Sequence, residues 1–254
     1  MVPDELRIWL NHFEYHAEHP RCIPTDLADH LKPEERGLIA GSMATFQLGE
    51  QSEGSTLLRA ADRFARAHRM PSLVRIMELF IREEQRHAAL LQEFMEAHEI
   101  ALKSRDWTDR VFRLVRRVAG FELYLHVLIS AEFIGNVYYR ALEAVTGCER
   151  LKVLCRTLVC DELVHVAFES QLLLALRAAR APAARGLMRL AHRMFFACTA
   201  IVVWLTHQSV LRPAGYKARS FLRICLAQYA FYLEPASAMR ASTPLARTGT
   251  SARR

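Results

Sequence analysis

Apolar residues recur every three or four positions through most of this 254-residue chain, the spacing of helices with one buried face. No stretch alternates apolar and polar residues over the length of a strand, and the class predicted is all-α. Residues 4–18 form a short amphipathic helix with Leu6, Trp9, Leu10 and Phe13 on one side, ended by Pro20 and Pro24. Thr25 caps a brief helix through Leu31. Pro33 opens a first long helix to about Arg69, and Pro71 opens a second to about Ser104. A third covers roughly 108–146, with Gly147 as its stop, and a fourth runs from Glu149 to about Arg180. Beyond Pro182 two further helices are expected, near 184–211 and 216–233. The organisation is an N-terminal helical extension (1–35), a four-helix unit (36–180), additional C-terminal helices (181–235) and a basic tail (236–254) whose composition predicts disorder.

Acids intrude on otherwise apolar seams at a single level. The first long helix has Phe46, Glu50, Glu53, Leu57, Ala61 and Phe64 on one face, and the second has Met77, Ile81, Glu84, Ala88 and Leu91. The third has Leu125, Leu128, Glu132, Gly135, Tyr139 and Leu142, and the fourth has Leu154, Leu158, Glu162, His165 and Leu172. A buried carboxylate without a partner costs several kcal/mol or takes up a proton, and several in one core repel one another. Two divalent cations balance four carboxylates.

Two Glu-x-x-His pairs, Glu84–His87 and Glu162–His165, put both side chains of each pair on one helix face. The 20 Glu and 11 His of the chain give about one such pair by chance, so the weight lies in the placement. Glu132 and Glu162 are equidistant from Gly147, as opposite residues of a helical hairpin should be. Glu53 and Glu84 centre on 68.5, near the turn expected at 69–71, whereas Glu50 and Glu84 centre on 67. Glu53 is therefore the expected ligand, with Glu50 beside the ligands, as a further ligand or on a substrate or proton path. Asp161 is placed to hold a histidine or to face solvent. Gly135 leaves room by the metals or allows close helix packing, and Tyr139 lies two turns from Glu132, for core packing or for a radical or hydrogen-bonding role.

Bulk properties narrow the class. Hydrophobic content of 52% supports a large core, and a net charge of +7 without a nucleic-acid motif reads as a solvated basic surface and tail. The six cysteines form no C-x-x-C pair and the start lacks a basic-then-apolar signal segment, which points to a reducing cytoplasm. The apolar run Met194–Thr206 has 13 residues, against about 20 for a membrane span. A covering helix and no transmembrane segment are expected.

With Glu53, Glu84-Gln85-Arg86-His87, Glu132 and Asp161-Glu162-Leu163-Val164-His165 in these positions, residues 36–180 resemble the ferritin-like superfamily of di-metal carboxylate proteins. The resemblance implies a ferritin-like four-helix bundle in which Glu84 and Glu162 bridge or chelate, His87 and His165 each bind one metal, and Glu53 and Glu132 are terminal ligands. It implies two iron ions as cofactor, with manganese or a mixed pair as variants, and an enzyme that activates O2 to oxidise a small, apolar substrate with an electron donor. The chain lacks the Cys-rich domain of rubrerythrins. It is more basic and longer at both ends than storage ferritins, and it has Leu158 where arylamine N-oxygenases carry an extra histidine. The rival readings are a ferroxidase, a manganese catalase, or a helical scaffold or membrane-peripheral protein with Trp204, His207, Tyr229 and Tyr232 along a groove. A homodimer through 184–233 is a further expectation.

Overall fold

The computed structural model describes residues 3–51, 54–104 and 120–234, with side chains from Leu6 onward, and among these there are helices and no strand. Helix α1 (Pro3–Glu18) buries Leu6, Trp9 and Phe13 at helical spacing. It lies on α4 (Pro71–Ala97), with Phe13 against Phe80 and Phe168. Burying each of these aromatic rings contributes roughly 1.5–3 kcal/mol. Residues 25–27 form a turn where a brief helix was expected. With Pro20 and Pro24 upstream and Pro33 downstream, too few residues remain to repay helix nucleation.

The first long helix is two helices. Helix α2 (Pro33–Glu50) starts on Pro33 with Glu34 and Glu35 in its first turn, and α3 (Ser55–His68) is a separate helix, with Gln51 and Gly54 outside both. Gly54 has φ 66°, and a Cβ there would lie 2.5 Å from Cγ2 of Ile81 on α4. Glycine thus permits both the left-handed turn and the close approach. Helix α3 ends on Arg69 in the left-handed region, Met70 N–H closing on Ala65 O at 2.9 Å. Helix α4 stops at Ala97, about two turns before the expected end, because Glu99 adopts φ 54° and Ile100 N–H returns to Met95 O at 2.8 Å.

Helix α5 (Phe121–Val145) and helix α6 (Glu149–Ala178) form the most extensive pair, joined across Gly147. The expected start of this third helix near 108 lies outside the described residues, as does the tail from Ala236. Helices α2 and α3 pack on α4, α3 touches α5, and α4 touches α6, so acids from α2, α4, α5 and α6 can meet inside.

Helix α7 (Pro182–Thr206) is followed by the short α8 (Gln208–Leu211) and by α9 (Ala218–Leu233), a break at His207 dividing the helix expected over 184–211. The apolar run is embedded in a helix of 25 residues that is, by length and composition, long enough to cross a membrane. Its inner side buries Phe196, Ala200 and Trp204, against Phe133, Tyr229 and Phe221 of α5 and α9, while Leu187, Leu190, Met194 and Leu205 are exposed. Tyr229 and Tyr232 pack into this layer.

Candidate metal centre

Two helix turns on α4 and α6 face each other, each bearing an acid, a second acid and a histidine. On α4 these are Glu83, Glu84 and His87; on α6 they are Asp161, Glu162 and His165. Both histidines are fully buried, and Glu162 and Asp161 are 1% exposed. Helix α2 contributes Glu50 from its last residue, and α5 contributes Glu132 from its middle.

These side chains form two overlapping donor sets. One holds Glu50, Glu84, His87 and Glu162, the other Glu84, Glu132, Glu162 and His165, with the ligand atoms of each set within 4.8 Å of one another. Glu84 and Glu162 belong to both. His165 Nδ1 lies 2.9 Å from Glu84 Oε1 and 3.5 Å from Glu162 Oε2. His87 Nδ1 lies 3.2 Å from Glu162 Oε1 and 3.6 Å from Glu84 Oε1.

The inner atoms lack hydrogen bonds. Glu84 Oε1, both Glu162 oxygens and the Nδ1 atoms of His87 and His165 are buried without a hydrogen-bond partner among the described residues. These five atoms face one another at 2.9–3.6 Å as ion pairs without aligned hydrogen bonds, an arrangement that is costly for a closed protein core. They are the donor set a pair of cations requires, with imidazole and carboxylate suited to iron or manganese. The residues fit a two-metal group.

The outer nitrogens, by contrast, are held. His87 Nε2 meets Asp161 Oδ2 at 3.2 Å, and His165 Nε2 meets Glu83 Oε2 at 3.1 Å. The support is crossed: the acid of α6 orients the histidine of α4, and the acid of α4 orients the histidine of α6. Such carboxylate–histidine contacts fix the ring and leave the other nitrogen for a metal. Asp161 is itself gripped by Arg21 and by Arg86 Nη2 at 2.5 Å, and His16 Nδ1 lies 3.5 Å from Glu83.

The electrostatics of the metal-free pocket follow from this packing. Burial alone would lower the His87 pKa, yet the carboxylates of Asp161 and Glu162 carry it up to about 10. His165 rises well above its ordinary value against the same burial, through Glu162, Glu83 and Glu84. Burial would raise Glu162, but the two histidines bring it down to about 2. Glu50 is raised well above the carboxylate range, by burial and then by the charges of Glu84 and Glu162. Protonated imidazoles thus stand in for positive charge, and Glu50 is pushed toward its neutral form.

Glu53, the ligand expected on the first long helix, lies outside the described residues, and the acid brought into the donor set from that stretch is Glu50. Counting residues from the hairpin turn measures height only along an unbroken helix, and with α2 ending at Glu50 and α3 starting at Ser55 that equivalence ends. Tyr139, fully buried, donates a hydrogen bond to Glu50 Oε1 at 2.5 Å. Gly135 lines a cavity of about 170 Å³ whose floor includes Glu50, Glu84, Glu132 and Glu162. Leu57, Ile81, Leu128 and Val203 give it apolar walls, and His207 borders it with Nδ1 2.7 Å from Ser42 Oγ.

Two acids were missed. Glu83 precedes Glu84 as Asp161 precedes Glu162, so its equivalent place in the duplicated motif could have marked it. Glu169 follows His165 by four positions on the same face, is fully buried, and neither carboxylate oxygen has a hydrogen-bond partner among the described residues. Burial, reinforced by Glu84 and Glu162 and opposed by His165, raises its pKa well above the usual range. Comparison of the chain with protein-family models, with characterised proteins and with solved structures found no match.

Proposed function

We propose that this chain is a ferritin-like di-metal oxidoreductase that uses two iron ions and O2 to oxidise a small apolar organic substrate. The observation that carries the reading is the pair of four-residue donor sets sharing Glu84 and Glu162. Glu50 and His87 would hold one ion, Glu132 and His165 the other, and the shared glutamates both. When bound, the ions supply electrons and coordination positions for O2. The protein's own part is orientation and exclusion of water. Asp161 and Glu83 fix the imidazole planes, and Tyr139 fixes Glu50. Burial holds the pKa of Glu169 well above the carboxylate range in the metal-free pocket, and its carboxyl group would be a local proton source for oxygen chemistry that consumes protons.

The adjoining cavity favours an organic substrate over Fe(II) turnover. Its volume of about 170 Å³ is slightly above the roughly 150 Å³ of an apolar cavity that holds benzene, and apart from the four glutamates on its floor its walls are mainly apolar. The test is anaerobic loading with Fe(II), exposure to O2, and measurement of oxygen uptake with and without small hydrocarbons and aromatics. Stoichiometric iron with oxygen uptake that rises with an apolar compound supports the reading. Loaded protein that consumes no O2 overturns it.

A further inference from the structure

A second set of ligating side chains gathers at the other end of α4. Asp29 from the segment before α2, His98 at the C-terminus of α4 and Cys148 at the N-terminus of α6 place an oxygen, a nitrogen and a sulfur within 4.8 Å of one another. His98 is eleven residues beyond His87, which at the helical rise is about 16 Å along α4. The two clusters share no residue.

We infer that Asp29, His98 and Cys148 form a mononuclear site for a thiophilic divalent cation, zinc above all. Tetrahedral zinc with ordinary bond lengths separates a thiolate sulfur from a carboxylate oxygen by about 3.6 Å, and an imidazole nitrogen from a carboxylate oxygen by about 3.4 Å. Cys148 Sγ lies 3.6 Å from Asp29 Oδ1, while His98 Nε2 and Asp29 Oδ1 stand 2.6 Å apart. The sulfur edge already has the right length. The shorter edge contains a shared proton, and exchanging that proton for an ion requires the pair to open by roughly 0.8 Å. Asp29 lies in a non-helical segment and its side chain is 29% exposed, so it can move and gives the ion an entry path. Arg150 Nη1 lies 3.6 Å from the other oxygen, Oδ2, leaving Oδ1 for the metal. Water supplies the fourth position.

The donor chemistry separates the two sites. The carboxylate-rich centre suits iron or manganese, and a thiolate with imidazole suits zinc or cobalt. Bound there, the ion clamps the segment before α2 to the ends of α4 and α6. That same segment carries Arg21, which holds Asp161 behind His87.

The experiment uses the full chain carrying Glu84→Ala and Glu162→Ala, so that it is independent of the first centre and of the function proposed for it. Anaerobic titration with Co(II) should give one equivalent bound and a thiolate-to-cobalt band in the near ultraviolet, removed by one equivalent of Zn(II). Cys148→Ser and His98→Ala should each abolish the band while helix content by circular dichroism is unchanged. A folded protein with no band, or a band that persists in Cys148→Ser, overturns the assignment. The second outcome would place the metal on another of the six cysteines.

Discussion

The sharing of Glu84 and Glu162 between two donor sets makes a prediction that an ordinary cluster of acids does not. His87 belongs to one set and His165 to the other, so replacing either by alanine should leave one metal site, whereas replacing Glu162 removes a ligand from both. Mn(II), stable in air at neutral pH, allows this to be read as thermal stabilisation. A ligand at 100 times its dissociation constant stabilises the folded state by about 2.7 kcal/mol per site. Two sites then give about 5 kcal/mol, or roughly 10–20 °C at 2–4 °C per kcal/mol for a chain of this size. The expected pattern is the full shift in the wild type, about half in His87→Ala and in His165→Ala, and almost none in Glu162→Ala. Each shift is taken against the same variant without metal, which cancels the cost of the substitution itself. Metal analysis should parallel it at two, one, one and none per chain. Equal shifts in His87→Ala and Glu162→Ala would refute the bridging arrangement. Loss of metal in Glu53→Gln, with retention in Glu50→Gln, would return the ligand to the position expected from the hairpin count.

The crossed supports should be nearly as sensitive as the ligands. Glu83→Gln and Asp161→Asn are each expected to weaken metal binding by about 10–100-fold, or roughly 1.4–2.7 kcal/mol, measured by competition with a chelator; affinities within a factor of two of wild type would show the contacts to be incidental. Gly54→Ala places a Cβ at φ 66° and 2.5 Å from Ile81 Cγ2, so a loss of about 1–3 kcal/mol in urea unfolding is expected. Trimming Ile81 to alanine in the same chain should cost less than the two changes separately. His126 and His192 stack at 4.2 Å between centroids, and burial, His126 further aided by Arg177, holds their pKa values down, to about 3 and about 2. A folded-state pKa below the unfolded 6.5 means that stability is full above that value and falls as pH drops toward the folded value. His126 alone should cost about 2 kcal/mol between pH 7 and pH 5. His126 Nε2 has no hydrogen-bond partner among the described residues, so His126→Phe should keep the ring contact at pH 7 and exceed the wild type by about 2 kcal/mol at pH 5. A parallel acid limb in both proteins would mean that His126 is not neutral inside.

What could be read from the sequence was whatever depends on spacing along one unbroken helix. Glu84 with His87, Glu162 with His165, and Glu132 opposite Glu162 across Gly147 all lie within α4, α6 or the α5–α6 hairpin. There residue number is a true coordinate, and the structure brings these five side chains together. The uncertainty about Glu50 and Glu53 arose where the coordinate fails. Gln51-Ser52-Glu53-Gly54 has no apolar residue to hold a helical face, and its glycine passes against Ile81 of another helix. That contact is tertiary and leaves no periodic trace in the local sequence. The early end of α4 is of the same kind, since a glutamate at φ 54° carries no glycine to announce it. Glu169 illustrates the opposite error. Its spacing from Glu162 and His165 was plain, but it matched no partner on α4, where Leu91 occupies the corresponding position. A search for symmetry discards an acid that occurs once. Yet a fully buried carboxyl beside two shared carboxylates is costly for the fold, and the asymmetry it introduces distinguishes the two donor sets. If it is the local proton source, Glu169→Gln should leave both Mn(II) sites intact and slow oxygen consumption by the iron-loaded protein. If it serves packing alone, the rate should be unchanged.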